Sequence, residues 1–149
     1  MKLNESIGAV LAAKGLGVLT ITPEATVYEA IKTMADHNVG GLVVMEGDYL
    51  LGVLSERDYT RKVALQGRNS KTTRVREILD RSPVTVSARD DVEDCMRLMT
   101  RLRVRHLPVM EGPRVVGIVS IGDLVNFIIT AQDATIEQLV HYITGDYPV

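Results

Sequence analysis

The residues best suited to chemistry are a serine and an aspartate that occur together twice at the same spacing. Ser55 precedes Asp58 by three residues, and Ser120 precedes Asp123 in the same way. Each pair follows an apolar run and begins a segment typical of a helix. A carboxylate accepts hydrogen bonds from both hydroxyls of a diol, and a helix start offers free N–H groups to an anion. The same pattern also fits a capping box that only closes the helix.

The two pairs belong to a longer internal repeat. Residues 19–59 and 84–124 align without a gap at a constant offset of 65, with identities such as Val27/Val92 and Gly52/Gly117. A shared register without gaps indicates two copies of one supersecondary unit. Two such copies usually pack about a pseudo-twofold axis. We therefore expect a cleft between them, lined by the polar positions that repeat.

Each copy has the pattern strand, helix, strand, strand, helix. The first helix of the first copy begins at Thr26, with Glu29 as its capping partner, and ends at Asn38. The repeat predicts the following elements: strands at 17–20, 42–45, 50–54, 84–86, 107–110 and 115–119, and helices from Ser55 to about Gln66, from Asp91, and from Ser120 through Ile129. The fold class is α+β (mixed α/β), with two small sheets back to back and helices outside.

Three further helices are predicted outside the repeat, at 6–14, near 75–79 and at 135–144. The whole chain, 1–149, is interpreted as one module. Its parts are a first motif at 17–67, a linker with a short helix at 68–82, a second motif at 83–132 and a C-terminal helix at 133–149.

Composition removes several classes of function. The net charge of −2, the 4% aromatic content and the lack of Trp argue against nucleic-acid binding. The single cysteine, Cys95, excludes an internal disulfide, lies on the apolar stripe of a helix and fits a reducing compartment. The apolar stretch at 7–13 is too short to span a membrane, so we expect a cytoplasmic protein. The three histidines lack the spacing of a metal site, and no nucleophile–base pair indicates an enzyme.

The ends of the hairpins carry a resemblance to a known family. The segments 52–58 and 117–123, repeated in register within this order of elements, resemble the cystathionine-β-synthase (CBS) domain, whose tandem pair is called a Bateman module. The resemblance covers about residues 5–132. It is strongest to stand-alone CBS-pair proteins of bacteria and plant organelles.

The resemblance implies an adenosine-containing ligand in the cleft between the motifs. It makes Asp58 and Asp123 ribose ligands and Ser55 and Ser120 phosphate contacts. It also implies that basic residues of one motif reach the phosphate held by the other. The site of Asp58 would then receive Arg57, Arg105 and His106, whereas the site of Asp123 would face Gly40 and Gly41 with no cation. We therefore expect one strong phosphate site and one weak or vacant site.

Three other positions complete the candidate ligand site. Thr20 and Thr85 lie at the first strands, where the backbone could bond an adenine edge, and Pro108 follows His106. The hydroxyls could instead satisfy a turn. The arginines at 101, 103 and 105 could instead form a solvated strip at a helix end.

The predicted function is a regulatory module that senses AMP, ATP or NAD(H) and passes the signal to an unknown protein target or to its own oligomer. The basic residues favour a ligand with phosphate over S-adenosylmethionine. Among the three nucleotides, AMP or NAD(H) is the preferred expectation. We expect no metal and no catalytic activity. We expect the chain to form a homodimer. The alternative is a structural dimer with a vestigial cleft. Nucleic-acid binding and catalysis are less favoured.

Overall fold

The computed structural model describes residues 5–15, 17–80 and 82–144 and has an α+β architecture with two three-stranded sheets. In each sheet a two-residue strand pairs in parallel with the first strand of an antiparallel hairpin. The first hairpin strand is central, and the two-residue strand and the second hairpin strand form the two edges. The strands are β1 (Thr20–Ile21), β2 (Gly41–Glu46) and β3 (Tyr49–Ser55) in the first sheet, and β4 (Val86–Ser87), β5 (His106–Glu111) and β6 (Arg114–Ser120) in the second.

The helices are α1 (Ile7–Lys14), α2 (Val27–His37), α3 (Glu56–Tyr59), α4 (Val75–Ile78), α5 (Val92–Leu102) and α6 (Ile121–Thr144). The predicted end signals of α2 are confirmed. Thr26 and Glu29 form a reciprocal capping box, and Asn38 ends the helix in the left-handed conformation. Its counterpart Arg103 ends α5 with φ 56°, also left-handed. The repeat therefore preserves backbone conformation even where the residue type changes.

The structure corrects five predicted elements. The strands expected at 17–20 and 84–86 lie at Thr20–Ile21 and Val86–Ser87. The helix expected from Ser55 to Gln66 is the short α3 followed by a π-helical turn, Thr60–Ala64. The two helices expected near 121–129 and 135–144 are one helix, since residues 130–135 contain no Gly or Pro to interrupt it. Residues 145–149 of the expected C-terminal helix lie outside the described residues.

Each copy completes its core with the segment that precedes the other copy in the chain. Ile7 and Val10 of α1 are buried in the core of the second copy. Val75 and Ile78 of α4 are buried in the core of the first. The two segments dock alike, because the N–H groups of the repeat-related residues Val27 and Val92 donate to backbone carbonyls of residues 73 and 5 at 2.8 and 2.9 Å.

Repeat-related glycines make room for these segments. A methyl group added at Gly117 would lie 2.6 Å from Cδ2 of Leu11, and one added at Gly52 would lie 3.0 Å from Cδ1 of Leu79. Neither distance leaves space for a side chain without movement. The second strand of each hairpin is thus in direct contact with the segment that completes the core of its copy.

The burial of α1 makes a prediction about stability. Ile7 has no exposed surface, so Ile7→Ala should lower the free energy of unfolding by about 2–5 kcal/mol. Urea denaturation measures the loss. Leu65→Ala serves as the control, because Leu65 is 74% exposed and truncation there should cost less than about 0.5 kcal/mol. Equal effects of the two changes would contradict the assignment of α1 to the second core.

Candidate functional site

A cavity of about 600 Å³ lies at the seam between the two copies. The first copy contributes the end of β3, α3 and the π-helical turn, and the second contributes residues 102–106. The charged residues that line it are the cations Arg57, Arg61, Lys62, Arg103 and Arg105 and the carboxylates Glu56, Asp58 and Asp80. Because cations outnumber carboxylates, the cavity favours an anionic ligand.

Ser55 and Asp58 form a capping box at the edge of this cavity. Oδ2 of Asp58 accepts hydrogen bonds from the backbone N–H and the hydroxyl of Ser55, at 2.8 and 3.0 Å. The Ser55 hydroxyl accepts in turn from the Asp58 N–H at 3.2 Å. The capping alternative is therefore present in the structure. It uses one carboxylate oxygen of Asp58 and leaves Oδ1, which lies 3.6 Å from Nζ of Lys62.

The cationic side chains that line the cavity differ in whether they already form hydrogen bonds or ion pairs. Nη1 of Arg57 donates to the carbonyl of Arg103 across the seam at 3.1 Å, and Nζ of Lys62 donates to Asp80 at 2.7 Å. Arg61, Arg103 and Arg105 are exposed, and their guanidinium groups form no ion pair with any residue that the structure describes. These three guanidinium groups are therefore available to an anion without breaking an existing contact.

Sequence reasoning missed Arg61, Lys62 and Asp80 as lining residues. Arg61 and Lys62 carried a usable signal, since they lie three and four residues after Asp58 and so share its side of a helical segment. No local signal identifies Asp80. It reaches the cavity only because the linker packs against the first copy.

His106 lies at the contact between the two copies. A methyl group added at its counterpart Gly41 would lie 2.9 Å from Cδ2 of the imidazole. Burial lowers the pKa of His106 below its ordinary value of 6.5, and Lys14 lowers it further, against the opposing effects of Asp123, Asp58 and Glu56. The imidazole is accordingly neutral near pH 7 in the absence of an anion.

The second copy holds Ser120 and Asp123 in the same local geometry. Oδ2 of Asp123 accepts from the backbone N–H of Ser120 at 2.9 Å, and the Ser120 hydroxyl accepts from the Asp123 N–H at 3.1 Å. The expectation that no cation lies there was wrong. Nζ of Lys14 lies 2.8 Å from Oδ2 of Asp123, because α1 packs beside β6 and α6.

The pKa of the Asp123 carboxyl is lowered below its ordinary value. Burial alone would raise the pKa, but the hydrogen bonds from Lys14 and from the Ser120 backbone outweigh it. Asp123 is therefore ionised and already paired.

The predicted ligand residues separate into two groups. Those that line the seam cavity are Gly40, Ser55, Arg57, Asp58, Arg105 and His106. Those that do not are Thr20 and Thr85, which are exposed, Gly41 and Pro108, which are buried, and Ser120 and Asp123. The structure thus brings the expected phosphate-binding residues together with Asp58.

Cys95 and the metal-ligating residue types add no second site. Cys95 is a buried free thiol whose pKa is raised to about 11, chiefly by burial, which leaves it unreactive as a nucleophile. Among the residues described, no three His, Cys, Asp or Glu side chains are grouped to hold a metal ion.

The duplicated unit with a cleft at its seam defines a tandem ligand-binding module, and comparison with known proteins gives its family. The family model "CBS domain" matches the chain twice, at residues 14–65 and 75–130. The chain belongs to the CBS domain family. The match is to a family of regulatory modules rather than to a catalytic family.

Relatives and solved structures agree with this assignment. The CBS domain-containing protein CBSX3, mitochondrial, of Arabidopsis thaliana is 40% identical over 97% of this chain and 74% of its own. A putative signal-transduction protein with CBS domains from Burkholderia ambifaria has a TM-score of 0.79 and 44% identity, covering 85% of this chain and 93% of that one.

Two solved structures bear on ligand and assembly. The CBS domain protein PAE2072 from Pyrobaculum aerophilum, solved in complex with AMP, has a TM-score of 0.70 and 28% identity over 79% of this chain and 88% of that one. The CBS-CP12 protein from bloom-forming cyanobacteria, a hexamer, has a TM-score of 0.71 and 33% identity over 80% and 69% of the respective chains. Among the described residues of this chain, no helix is long and apolar enough to cross a membrane.

The burial of His106 predicts how the stability of the fold depends on pH. Since its pKa in the folded chain is below 6.5, the unfolded chain takes up more protons as the pH falls through that value. The contribution of neutral His106 to the free energy of unfolding is fully present above about pH 6.5. It is lost as the pH falls toward the pKa that His106 has in the folded chain. Urea denaturation at about pH 7.5 and pH 5.5 should show a smaller loss for His106→Asn than for the wild type.

The exposed His37 provides the control for this comparison. His37→Asn should keep the wild-type pH dependence, because its ring is on the surface of α2. If His106→Asn lost as much stability on acidification as the wild type, titration of His106 would not be the cause.

Proposed function

We propose that this chain is a regulatory module that binds a phosphate-bearing adenosine nucleotide in the seam cavity. The observation that carries the proposal is the set of unengaged guanidinium groups, Arg61, Arg103 and Arg105, on the same cavity as the Asp58 carboxylate. One side of the ligand would be a diol and the other an anion. A nucleotide has both groups at a fixed separation.

Each half of the ligand has a matching partner. Oδ1 of Asp58 is outside the capping box and is 3.6 Å from Lys62, so it can accept from a ribose hydroxyl. Arg61 and Arg105 can donate charge-assisted hydrogen bonds to phosphate, and each such bond contributes about 1.5–3 kcal/mol. Phosphate contact by Ser55 would require its hydroxyl to turn away from Asp58, so the arginines are the stronger candidates.

The charge of the cavity favours AMP, ATP or NAD(H) over S-adenosylmethionine, which carries a positive charge and no phosphate. The complex of PAE2072 with AMP supports an adenine nucleotide in this family. Among the three, AMP and NAD(H) are preferred here, and sensing of cellular energy or redox state would follow. The receiver of the signal is a protein target or the oligomer of the chain itself.

Alternative functions have weaker support. A structural dimer with a vestigial cleft does not account for the free arginines. Nucleic-acid binding lacks exposed aromatic stacking partners along the cavity. Catalysis has weaker support because the Ser55 hydroxyl and the Asp58 carboxylate are held together in the capping box. The buried, reduced Cys95 supports a reducing compartment such as the cytoplasm, although the CBSX3 relative is mitochondrial.

The role of Asp58 is tested by a matched pair of variants. Asp58→Asn keeps an oxygen for the Ser55 N–H but loses the charge that holds the diol, so nucleotide affinity should fall by about 10–100-fold. Asp123→Asn makes the same chemical change outside the cavity and should leave affinity within about threefold. Isothermal titration calorimetry with AMP, ATP, NAD⁺, NADH and S-adenosylmethionine measures both.

Three results would go against the proposal. Wild-type protein with no measurable affinity for any phosphate-bearing nucleotide would favour the structural dimer. Equal losses in the two variants would place the ligand elsewhere. Steady consumption of the nucleotide during the titration would indicate an enzyme.

We further propose that the chain forms a homodimer through its outer helices. Val125 and Ile129 lie one turn apart on α6 and are 40% and 51% exposed, and Tyr28 on α2 is 44% exposed. An apolar strip of this kind is typical of a helix that packs against a partner. Hexameric CBS-CP12 shows that proteins with this fold assemble.

Replacing the strip with charge should separate the dimer. Light scattering after size exclusion should give twice the chain mass of 16.4 kDa for the wild type and the single mass for the double variant Val125→Lys, Ile129→Lys. Tyr49→Lys is the control, because Tyr49 is 79% exposed in a hairpin away from α6. A monomeric wild type would end this proposal.

A further inference from the structure

In the second copy, a lysine contacts the counterparts of two residues that line the open cavity in the first copy. Val53 and Asp58 border the seam cavity. Their counterparts at the offset of 65 are Ile118 and Asp123. Nζ of Lys14 donates to the carbonyl oxygen of Ile118 at 2.9 Å and to Oδ2 of Asp123 at 2.8 Å. The ammonium group therefore contacts the counterparts of two residues that line the cavity in the first copy.

The fold holds Lys14 in this position. It is the last residue of α1, whose Ile7 and Val10 are buried in the core of the second copy. Leu11 of the same helix packs against Gly117 on β6. The lysine side chain is nevertheless 35% exposed and Asp123 is 25% exposed, so the ion pair can open without unfolding α1.

The second copy also lacks the cations of the seam cavity. At the constant offset of 65, every cationic lining residue has an uncharged counterpart: Arg57/Gly122, Arg61/Asn126, Lys62/Phe127, Arg103/Asn38 and Arg105/Gly40. Of the charged residues that line the cavity, only the aspartate has a charged counterpart. A phosphate would find none of the donors that the first copy offers, whereas a diol would find the same carboxylate.

We propose that Lys14 is an internal latch that closes a latent site on the second copy, and that opening the latch exposes Asp123 to the ribose diol of a nucleoside without phosphate. This inference deepens the proposed function and rests on it for the role of the aspartate. A charged ammonium is a stronger partner for a carboxylate than two neutral hydroxyls. The wild-type chain therefore keeps this site closed and binds at the seam only.

Lys14→Met tests the latch, since methionine keeps the apolar stem and removes the charge. Equilibrium dialysis and calorimetry with adenosine and with AMP count the bound equivalents per chain. The wild type should bind one equivalent, with AMP at least about tenfold tighter than adenosine because of the arginines. Lys14→Met should bind a second equivalent, for which adenosine and AMP differ by less than about threefold.

Two controls separate the latch from an unspecific effect. Lys14→Arg keeps a cation for Asp123 and should retain one equivalent. Adding Asp123→Asn to Lys14→Met should remove the second equivalent. A melting curve checks that each variant is folded, and Lys14→Gln, which is also uncharged, replaces Lys14→Met if that variant does not fold.

The outcomes distinguish this inference from the proposed function. A folded Lys14→Met or Lys14→Gln protein that binds no more adenosine than the wild type overturns the latch, whatever happens at the seam. A second equivalent that survives Asp123→Asn also overturns it. If the wild type binds no nucleotide but the uncharged variant gains one adenosine that depends on Asp123, the seam function falls and the latch stands.

Discussion

The constraint on which the site depends is that repeat-related positions 41 and 106 meet at the seam. The space there admits one side chain, since even a methyl group at Gly41 would lie 2.9 Å from the His106 ring. Interiors at this packing density do not accommodate a second imidazole. The two copies therefore cannot be chemically identical at their contact. One copy supplies the imidazole and the adjoining Arg105, and the other supplies glycines, so the cationic lining belongs to one cleft.

The segments that complete the two cores extend this difference to the aspartates. The segment α1 ends in Lys14, which pairs with Asp123 at 2.8 Å. The linker after α4 instead presents Asp80, which takes Lys62 at 2.7 Å and leaves it 3.6 Å from Asp58. Two segments that dock alike thus have opposite electrostatic effects. One neutralises the aspartate of its copy, and the other draws a competing lysine away from the aspartate of its copy.

Prediction from sequence succeeded where the information is local or repeated. The register of 65 gave the order of elements, and the Thr26–Glu29 box and Asn38 gave the ends of α2. The grouping of Asp58 with Arg57, Arg105 and His106 followed from the resemblance. The Lys14–Asp123 pair spans 109 positions and depends on docking of a helix outside the repeat, so no pattern within either copy indicates it. The π-helical turn at Thr60–Ala64 and the unbroken α6 depend likewise on packing, since propensity alone does not distinguish them from regular or separate helices.

His106 interacts electrostatically with charged residues of both clefts, in addition to filling the space between the copies. Burial lowers its pKa most. Asp123 on one side and Asp58 and Glu56 on the other act to raise the pKa, and Lys14 acts to lower it. An anion bound by Arg61 and Arg105 would favour the protonated imidazole, and so would withdrawal of Lys14 from Asp123. Both events act on one proton, so each makes the other more favourable, and thermodynamic linkage requires the effect to be equal in both directions.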